Sequence, residues 1–417
     1  MALKSSGHAT ILKLNSEAEG ICYESKPGFS FKYVLPGEEI EYEEHQYRRE
    51  TNYVLRSILK KSEHRVDPFC RYYTKCGGCS MQHFSASYYT EFKHNLLKDL
   101  LKNLEVDINP ELIEPSNSKR RRVNIFFSKV NEKFYLGFYR AGTNNIVNIE
   151  SCEVATPIIS EIIKALTPIL SSFFNHNFSG ELHILNSSNG IAIDIMISEN
   201  FILSDFVRRK MKSIYNLDSV IEVNLYSSNN LIYNLTREKP FIEISGIKVQ
   251  VKPRSFLQPL EDSGKIISEI ILKNIQGENQ KIADLFCGRG TYLIPLSLNG
   301  HYVSGYESDM DSIESLKESE FQSSKLYLKN LYQNPLTEDE LNNFDVILLN
   351  PPRTGAYEQV KNIIKSNAGS VIYVSCSSKT FERDAKILLQ KYKLNKLYGI
   401  DQFKWTSNIE IIAVFSR

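Results

Sequence analysis

Beyond about residue 251, short apolar runs alternate with helical stretches, and this alternation limits the fold more than any other feature of the sequence. KIADLF runs into a glycine-rich turn, CGRGT, and an apolar helix follows. HYVSGYE, FDVILLN and SVIYVSC are further strand-like runs. Helical stretches over 308–318, 356–366 and 379–391 lie between them, and EIIAVFSR closes the chain. Strands separated by helices predict an α/β fold built on a doubly wound parallel sheet, here over 251–417.

The upstream sequence has a different texture. Residues 1–60 are short, partly alternating runs with turns at Pro27-Gly28 and Pro36-Gly37, a pattern that suits a small β-barrel. The acidic stretch Glu38, Glu39, Glu41, Glu43, Glu44 is expected to be a solvated face. Residues 61–250 open with a cysteine-rich loop, CRYYTKCGGCSMQH. Next comes a helix over about 86–104, with Phe92, Leu96, Leu97, Leu100, Leu101 and Leu104 at helical spacing. The runs VNIFFSKV, KFYLGFYR, ELHILN and IAIDIMI then predict an α+β middle domain.

A chain of 417 residues accommodates these two or three domains. Its formal net charge of +1 excludes a chain-wide field for polyanions, so any nucleic-acid contact has to be local. No apolar run is long enough for a membrane span, and the N-terminus has no secretory h-region. Seven cysteines in such a chain predict a reducing, cytoplasmic setting, where closely spaced thiols serve metals or catalysis rather than disulfides. No obligate protein partner is predicted.

Asp284-Leu-Phe-Cys-Gly288-Arg-Gly290 lies at a strand-to-helix turn, and Glu307 ends the next strand. Glycines admit a ligand close to the backbone, and an acid at the next strand end can accept from a ribose diol. On these residues alone, S-adenosylmethionine and a dinucleotide both fit, although the third glycine of the dinucleotide fingerprint is missing. Asn350-Pro-Pro-Arg353 follows another strand and Cys376 ends a third, so both are predicted at the same sheet edge. Glu410 precedes the last strand and is a candidate base. Cys70, Cys76, Cys79 and the distant Cys152 could bind zinc or an iron–sulfur cluster.

Taken together, Asp284-LFCGRG, Asn350-PPRTG, VSCSSKT and the terminal DQFKWTSNIE resemble the RNA 5-methyluridine methyltransferases, the TrmA/RumA-like family, almost end to end. The resemblance implies a Rossmann-like class I methyltransferase domain. It also implies a TRAM-type, OB-like RNA-binding barrel over 1–60 and a middle domain, 61–250, whose helix near 86–104 packs on the catalytic domain. S-adenosylmethionine would be held by Gln258 of SFLQ, which contacts cofactor or target base, by Asp284, Phe286, Gly288, Gly290 and Thr291 of the turn, and by Glu307, Asn330 and Asn350. Cys376 would be the nucleophile and Glu410 the base. Carbon 5 of uracil is weakly nucleophilic until a thiolate adds at carbon 6, and a free thiol, with a pKa of about 8.5, needs help to ionise. Cys70, Cys76, Cys79 and Cys152 match the ligands of the branch that carries a four-iron, four-sulfur cluster. That architecture goes mostly with 23S ribosomal RNA, with transfer RNA as the alternative.

The chain departs from the family at several positions. Asn350 replaces an Asp, yet its amide can donate to O4 and accept from N3–H of uracil. Ser377-Ser378 replaces Asn-Pro, Asn408 replaces a His, Asn330 an Asp and Leu260 an Asn. Between Lys119 and Arg140 basic residues and aromatics interleave. The aromatics there are expected in the core, and Arg120, Arg121 and Arg122 are the expected RNA contacts. Two other functions stay open: an amino-group methyltransferase acting on adenine or cytosine, and a non-catalytic RNA-binding relic of the fold.

Overall fold

The computed structural model describes residues 2–22, 29–47 and 50–417, so the turn expected at Pro27-Gly28 lies outside the described residues. The chain divides into two compact units. The first comprises 1–96 with 139–145 and 403–408; the second comprises 97–138, 146–402 and 409–417.

In the first unit, strands Ala2–Thr10, Glu39–Tyr47 and Glu50–Lys60 form one antiparallel sheet. The short strands Lys13–Leu14, Gly20–Ile21 and Ser30–Phe31 form another. Ile11, Cys22, Phe29, Phe31, Val34 and Ile40 are buried together between them. Gly37 takes φ +81 in the turn expected at Pro36-Gly37, a backbone that disfavours a side chain. The solvated acidic face is corrected at Glu38, which is fully buried. Its carboxylate accepts from the Leu35 amide at 2.8 Å and pairs with Arg65, whose Nη2 lies 2.8 Å from Oε2. A buried carboxylate is tolerable only with such partners.

The second unit holds two large sheets and a two-stranded one, Phe241–Ile244 with Ile247–Gln250. One orders strands Ile146–Asn148, Lys133–Tyr139, Arg122–Val130, Phe178–Ser187, Gly190–Ile197, Val220–Ser227 and Asn230–Thr236 side by side. Helix Pro157–Ser171 buries Ile159, Ile162, Ile163, Leu166 and Leu170, and helix Asp205–Tyr215 buries Val207, Met211 and Ile214. Both stripes recur at three- and four-residue spacing, as one helical face requires. Phe127 belongs to the core here, whereas Tyr135 is exposed.

The other large sheet carries the site. Its strands are β1 (Glu111–Ile113), β2 (Lys281–Leu285), β3 (Tyr302–Glu307), β4 (Lys325–Leu328), β5 (Val346–Leu349), β6 (Ser370–Ser375), β7 (Lys393–Ile400) and β8 (Glu410–Ser416). Their spatial order is β4-β3-β2-β5-β6-β8-β7-β1. Successive residues of the central strands enter opposite cores. Ala283, Leu285, Ile347, Leu349, Val371 and Tyr373 pack on one face, and Ile282, Val346, Leu348, Ile372 and Val374 on the other. Helices cover both faces, so these strands are continuously apolar. Leu97, Leu100, Leu101 and Leu104, at the end of helix Ala86–Asn103 and just beyond it, fill the first face.

Two findings differ from the sequence-based expectation. β8 pairs antiparallel with both β6 and β7, so the sheet is mixed rather than parallel. β1, far upstream in sequence, pairs parallel with β7. Chain order reverses between β2 and β5, and such a switch point opens a crevice at the carboxyl ends of the strands. Among the described residues no helix is long and apolar enough to cross a membrane.

Candidate active site

The turn after β2 is shaped by positive φ angles at Phe286 (63), Gly288 (54) and Gly290 (79). A Cβ on Gly290 would sit 2.7 Å from Leu316 Cδ2, so this position has no room for a side chain. A Cβ on Gly288 would meet nothing within 4 Å, which leaves open space above the turn. Thr291 continues the turn, and its carbonyl accepts from the Ser268 hydroxyl at 3.1 Å.

Asp284, at the end of β2, is fully buried; no side chain donates to its carboxylate, and the Leu293 backbone amide is its one favourable neighbour. Burial first, and the charge of Glu307 second, push its carboxyl well above the ordinary range. Glu307 ends β3, the neighbouring strand. Its Oε2 accepts from the Gly288 amide at 3.0 Å, and its Oε1 accepts from the Ser308 and Asp309 amides at 2.6 and 2.8 Å. A buried carboxylate without a side-chain donor or a cation, open space over a glycine turn and a second acid beside it fit a ligand that brings a cation and hydroxyl groups. S-adenosylmethionine has both. Phe286 meets the Tyr332 ring with centroids 5.5 Å apart. Asn330 is partly committed, because its Oδ1 accepts from the Tyr332 amide at 3.0 Å.

The second half of the site assembles around Cys376, which follows β6. The Asn350–Arg353 turn follows β5 and is held at several points. The Asn350 amide donates to the Leu285 carbonyl (3.2 Å), and the Thr380 hydroxyl donates to the Arg353 carbonyl (3.0 Å). Arg383 Nη2 donates to the Thr354 carbonyl (3.1 Å), and the Ala356 amide to buried Asp384 (2.7 Å). Arg353, on this turn, lies close enough to Cys376 for its cation to favour the thiolate. Burial, then the negative charge of Glu410, push that thiol up, and Arg353 opposes them. Ser377, at the position of the family Asn, caps helix Ser378–Leu388 through the Thr380 amide, so the nucleophile sits at a helix N-terminus.

Glu410 begins β8. Because β8 is antiparallel to β6, with Ser375 opposite Ile411, its first residue comes to the edge where Cys376 lies. Glu410 is buried, and its carboxyl is pushed up to about 8 by burial, with the Gln402 hydrogen bond and the charge of Arg353 working against the shift. Gln258, also buried, donates from Nε2 to the Tyr292 hydroxyl at 3.0 Å. The Tyr292 hydroxyl is raised well above its ordinary range by burial and by the nearby charges of Glu410, Asp284 and Cys376. The two halves of the site therefore meet at Tyr292. Arg353 as a thiol partner, Tyr292 and Gln402 were not identifiable from sequence: each stands beside a motif, but no residue pattern marks its contact.

Arg120, Arg121 and Arg122 are placed differently from the expected RNA-facing group. Arg121 Nε donates to the Gln258 carbonyl (3.3 Å) and Arg122 Nη1 to the Ser255 carbonyl (2.8 Å). One N–H of each guanidinium thus serves a carbonyl of the Ser255–Gln258 segment, which is not part of a strand. The Arg122 guanidinium also lies 5.6 Å from the centroid of the exposed Phe256 ring. The Arg120 backbone bonds to Val154 and Thr156.

Cys70, Cys76 and Cys79 belong to the first unit and Cys152 to the second. Cys76 and Cys79 lie near enough to Tyr33 for their charges to raise its hydroxyl, after burial. Among the described residues, however, no group of three or more His, Cys, Asp or Glu side chains is arranged to hold a metal ion.

An antiparallel last strand, a glycine turn at the switch point and acids at two neighbouring strand ends define a class I S-adenosylmethionine-dependent methyltransferase. The comparisons refine this class. Residues 319–417 match the family model described as tRNA (uracil-5-)-methyltransferase. An RNA methyltransferase of Caulobacter vibrioides, described as uncharacterized, is 31% identical over 98% of this chain and 99% of its own length. The 23S rRNA (uracil(1939)-C(5))-methyltransferase RlmD of Vibrio parahaemolyticus is 27% identical over 97% of this chain and 94% of its own. The crystal structure of the Pyrococcus abyssi tRNA (uracil-54, C5)-methyltransferase with S-adenosyl-L-homocysteine shares the fold, with a TM-score of 0.75 and 21% identity over 98% of this chain and 100% of that one. The chain belongs to the RNA (uracil-C5) methyltransferase family.

Proposed function

We propose that this protein methylates carbon 5 of a uridine in 23S ribosomal RNA, with Cys376 as nucleophile and Glu410 as base. The observation that carries the reading is the convergence of Cys376, Arg353 and Glu410 at one buried sheet edge, next to the Asp284 turn. The ribosomal substrate is supported by the RlmD relatives, which match along nearly their whole length.

When bound, S-adenosylmethionine supplies an electrophilic methyl group. Asp284 would hold its ammonium group and Glu307 its ribose, with Phe286, Thr291, Asn330, Asn350 and Gln258 around it. Cys376, stabilised as a thiolate by Arg353 and the helix N-terminus, adds to carbon 6 of the uracil and delivers the electron pair to carbon 5. After methyl transfer, Glu410 removes the proton from carbon 5, and the electron pair of that C–H bond expels the Cys376 thiolate. Both groups work deprotonated, and both are pushed up by burial, so turnover should rise with pH through about 8, where Glu410 ionises.

The uridine has to leave its stack to reach Cys376. The first unit would grip the RNA as the TRAM-type domain does in the family, and Arg120 would meet phosphate. Arg121 and Arg122 would act through the Ser255–Gln258 segment. A four-iron, four-sulfur cluster on Cys70, Cys76, Cys79 and Cys152 rests on the sequence pattern alone; iron and sulfide analysis of anaerobically purified protein tests it. No step above passes through that cluster.

The test is transfer of labelled methyl to rRNA and tRNA from cells that lack the protein, with wild type beside Cys376→Ala. Label should appear as 5-methyluridine in large-subunit rRNA, and only with the wild type. Label in tRNA would move the substrate, and label on an amino group would move the chemistry. No transfer by intact wild type would leave an RNA-binding relic.

A further inference from the structure

Gln402 lies just beyond β7, in the loop that leads towards β8. Its side chain is 1% exposed, beside Glu410 at 3%. Gln402 Nε2 donates to Glu410 Oε2 at 2.7 Å. Gln402 Oε1 is buried and has no hydrogen-bond partner. A glutamine that leaves an acceptor unmet costs stability that an apolar side chain of similar size would not.

We propose that Gln402 is a positioning residue for the base: its amide fixes one oxygen of the Glu410 carboxylate and leaves the other, Oε1, to face the hydrogen on carbon 5 of the uracil. This rests on the function proposed above. The terminal torsion of a glutamate is soft and roughly two-fold, so packing alone does not choose which oxygen faces the substrate. A single N–H donor does choose.

The charged and titratable groups around Glu410 show why the donor is an amide. Arg353 approaches from the turn after β5, Cys376 from the end of β6 and Tyr292 from the turn after β2. The Arg353 cation is shared with the Cys376 thiol, so it does not serve Glu410 alone. A second cation would keep Glu410 ionised but would weaken it as a base. A neutral donor favours the carboxylate while preserving much of its basicity.

The test compares wild type with Gln402→Leu and Gln402→Met in the full chain. The Glu410 carboxyl is followed by carbon-13 NMR against pH, with Glu410→Gln as the assignment control. Loss of one hydrogen bond to the charged form should raise the midpoint by about one pH unit or more. Melting temperature should stay level or rise, because the unmet Gln402 Oε1 is removed. With RNA and S-adenosylmethionine, the variants should accumulate a covalent RNA–protein complex, lower kcat and shift its pH profile up, with KM for S-adenosylmethionine unchanged. Equal midpoints in wild type and both variants would overturn the proposal, as would equal kcat with no trapped complex. The titration needs no turnover. A midpoint shifted in the variants, with a wild type that transfers no methyl, would therefore keep the hydrogen-bond role and discard the enzymatic reading.

Discussion

Asp284 and Glu410 are both buried carboxyls pushed above their ordinary range, yet their surroundings are opposite. Asp284 has no side-chain donor and no cation beside it, only the Leu293 amide, and the charge that acts on it is that of another acid, Glu307. Glu410 has a donor in Gln402 and a cation in Arg353. One end of the site is completed only by a ligand. The other is poised by the protein itself, near the pH at which it has to work. The contrast separates a binding group, whose charge waits for a counter-charge, from a base, whose charge is balanced within reach of neutral pH.

The largest effect should come from Cys376→Ala, which removes the covalent step altogether. Methyl transfer should fall on the order of 10^4-fold or more, and the stable adduct with 5-fluorouracil-containing RNA should vanish. An adduct that survives would break the assignment.

Glu410→Gln should leave the first half of the reaction intact and slow the second, lowering turnover about 10^2- to 10^4-fold and trapping RNA on the protein. It should also change stability. Because the folded Glu410 carboxyl is raised to about 8, its stabilising contribution is complete below the ordinary glutamate value of 4.5 and is lost as pH rises through about 8. By pH 7 the loss is on the order of 3 kcal/mol. Glu410→Gln should therefore unfold at higher denaturant than wild type at pH 7, with the advantage gone near pH 4.

At the ligand end, Asp284→Asn should cost little fold stability, since it removes a buried ionisable group and keeps an oxygen that can accept from the Leu293 amide. Calorimetry should show S-adenosylmethionine binding about 30-fold weaker or more, the scale for removing one partner of a buried charge pair. Tighter or unchanged binding would break the comparison between the two carboxyls.

The smallest effect should be that of Arg353→Lys, which keeps the charge but loses the planar fork. Alkylation of Cys376 should then need a higher pH, with a midpoint moved by about half a unit to one unit. An unmoved midpoint would mean that the helix N-terminus alone sustains the thiolate.

Some of this was legible in sequence because it is local. The Asp284–Thr291 turn is contiguous, and its glycines are required by positive φ and close packing wherever the chain goes next. The apolar runs of β2, β5 and β6 announce strands covered on both sides. Cys376 and Glu410 were identifiable as residues through the family motifs. What brings them together was not. A seven-residue strand spans about 20 Å, so a parallel last strand would begin at the opposite edge and leave Glu410 far from the thiol. The antiparallel pairing of β8 with β6 and β7 reverses that.

Arg121, Arg122 and Glu38 teach the same lesson from the other side. The sequence showed neither the backbone carbonyls that Arg121 and Arg122 bond nor the ion pair that buries Glu38, because those partners are far away along the chain. The sequence by itself determined the strand–helix alternation, the glycine turn and the motifs that carry Cys376 and Glu410, because each depends on neighbours along the chain. Tertiary structure alone decided the direction of the last strand and the partners of Cys376, Glu410 and Gln258. Those depend on which strands lie side by side, and in a buried low-dielectric site such partners set the charge each group carries.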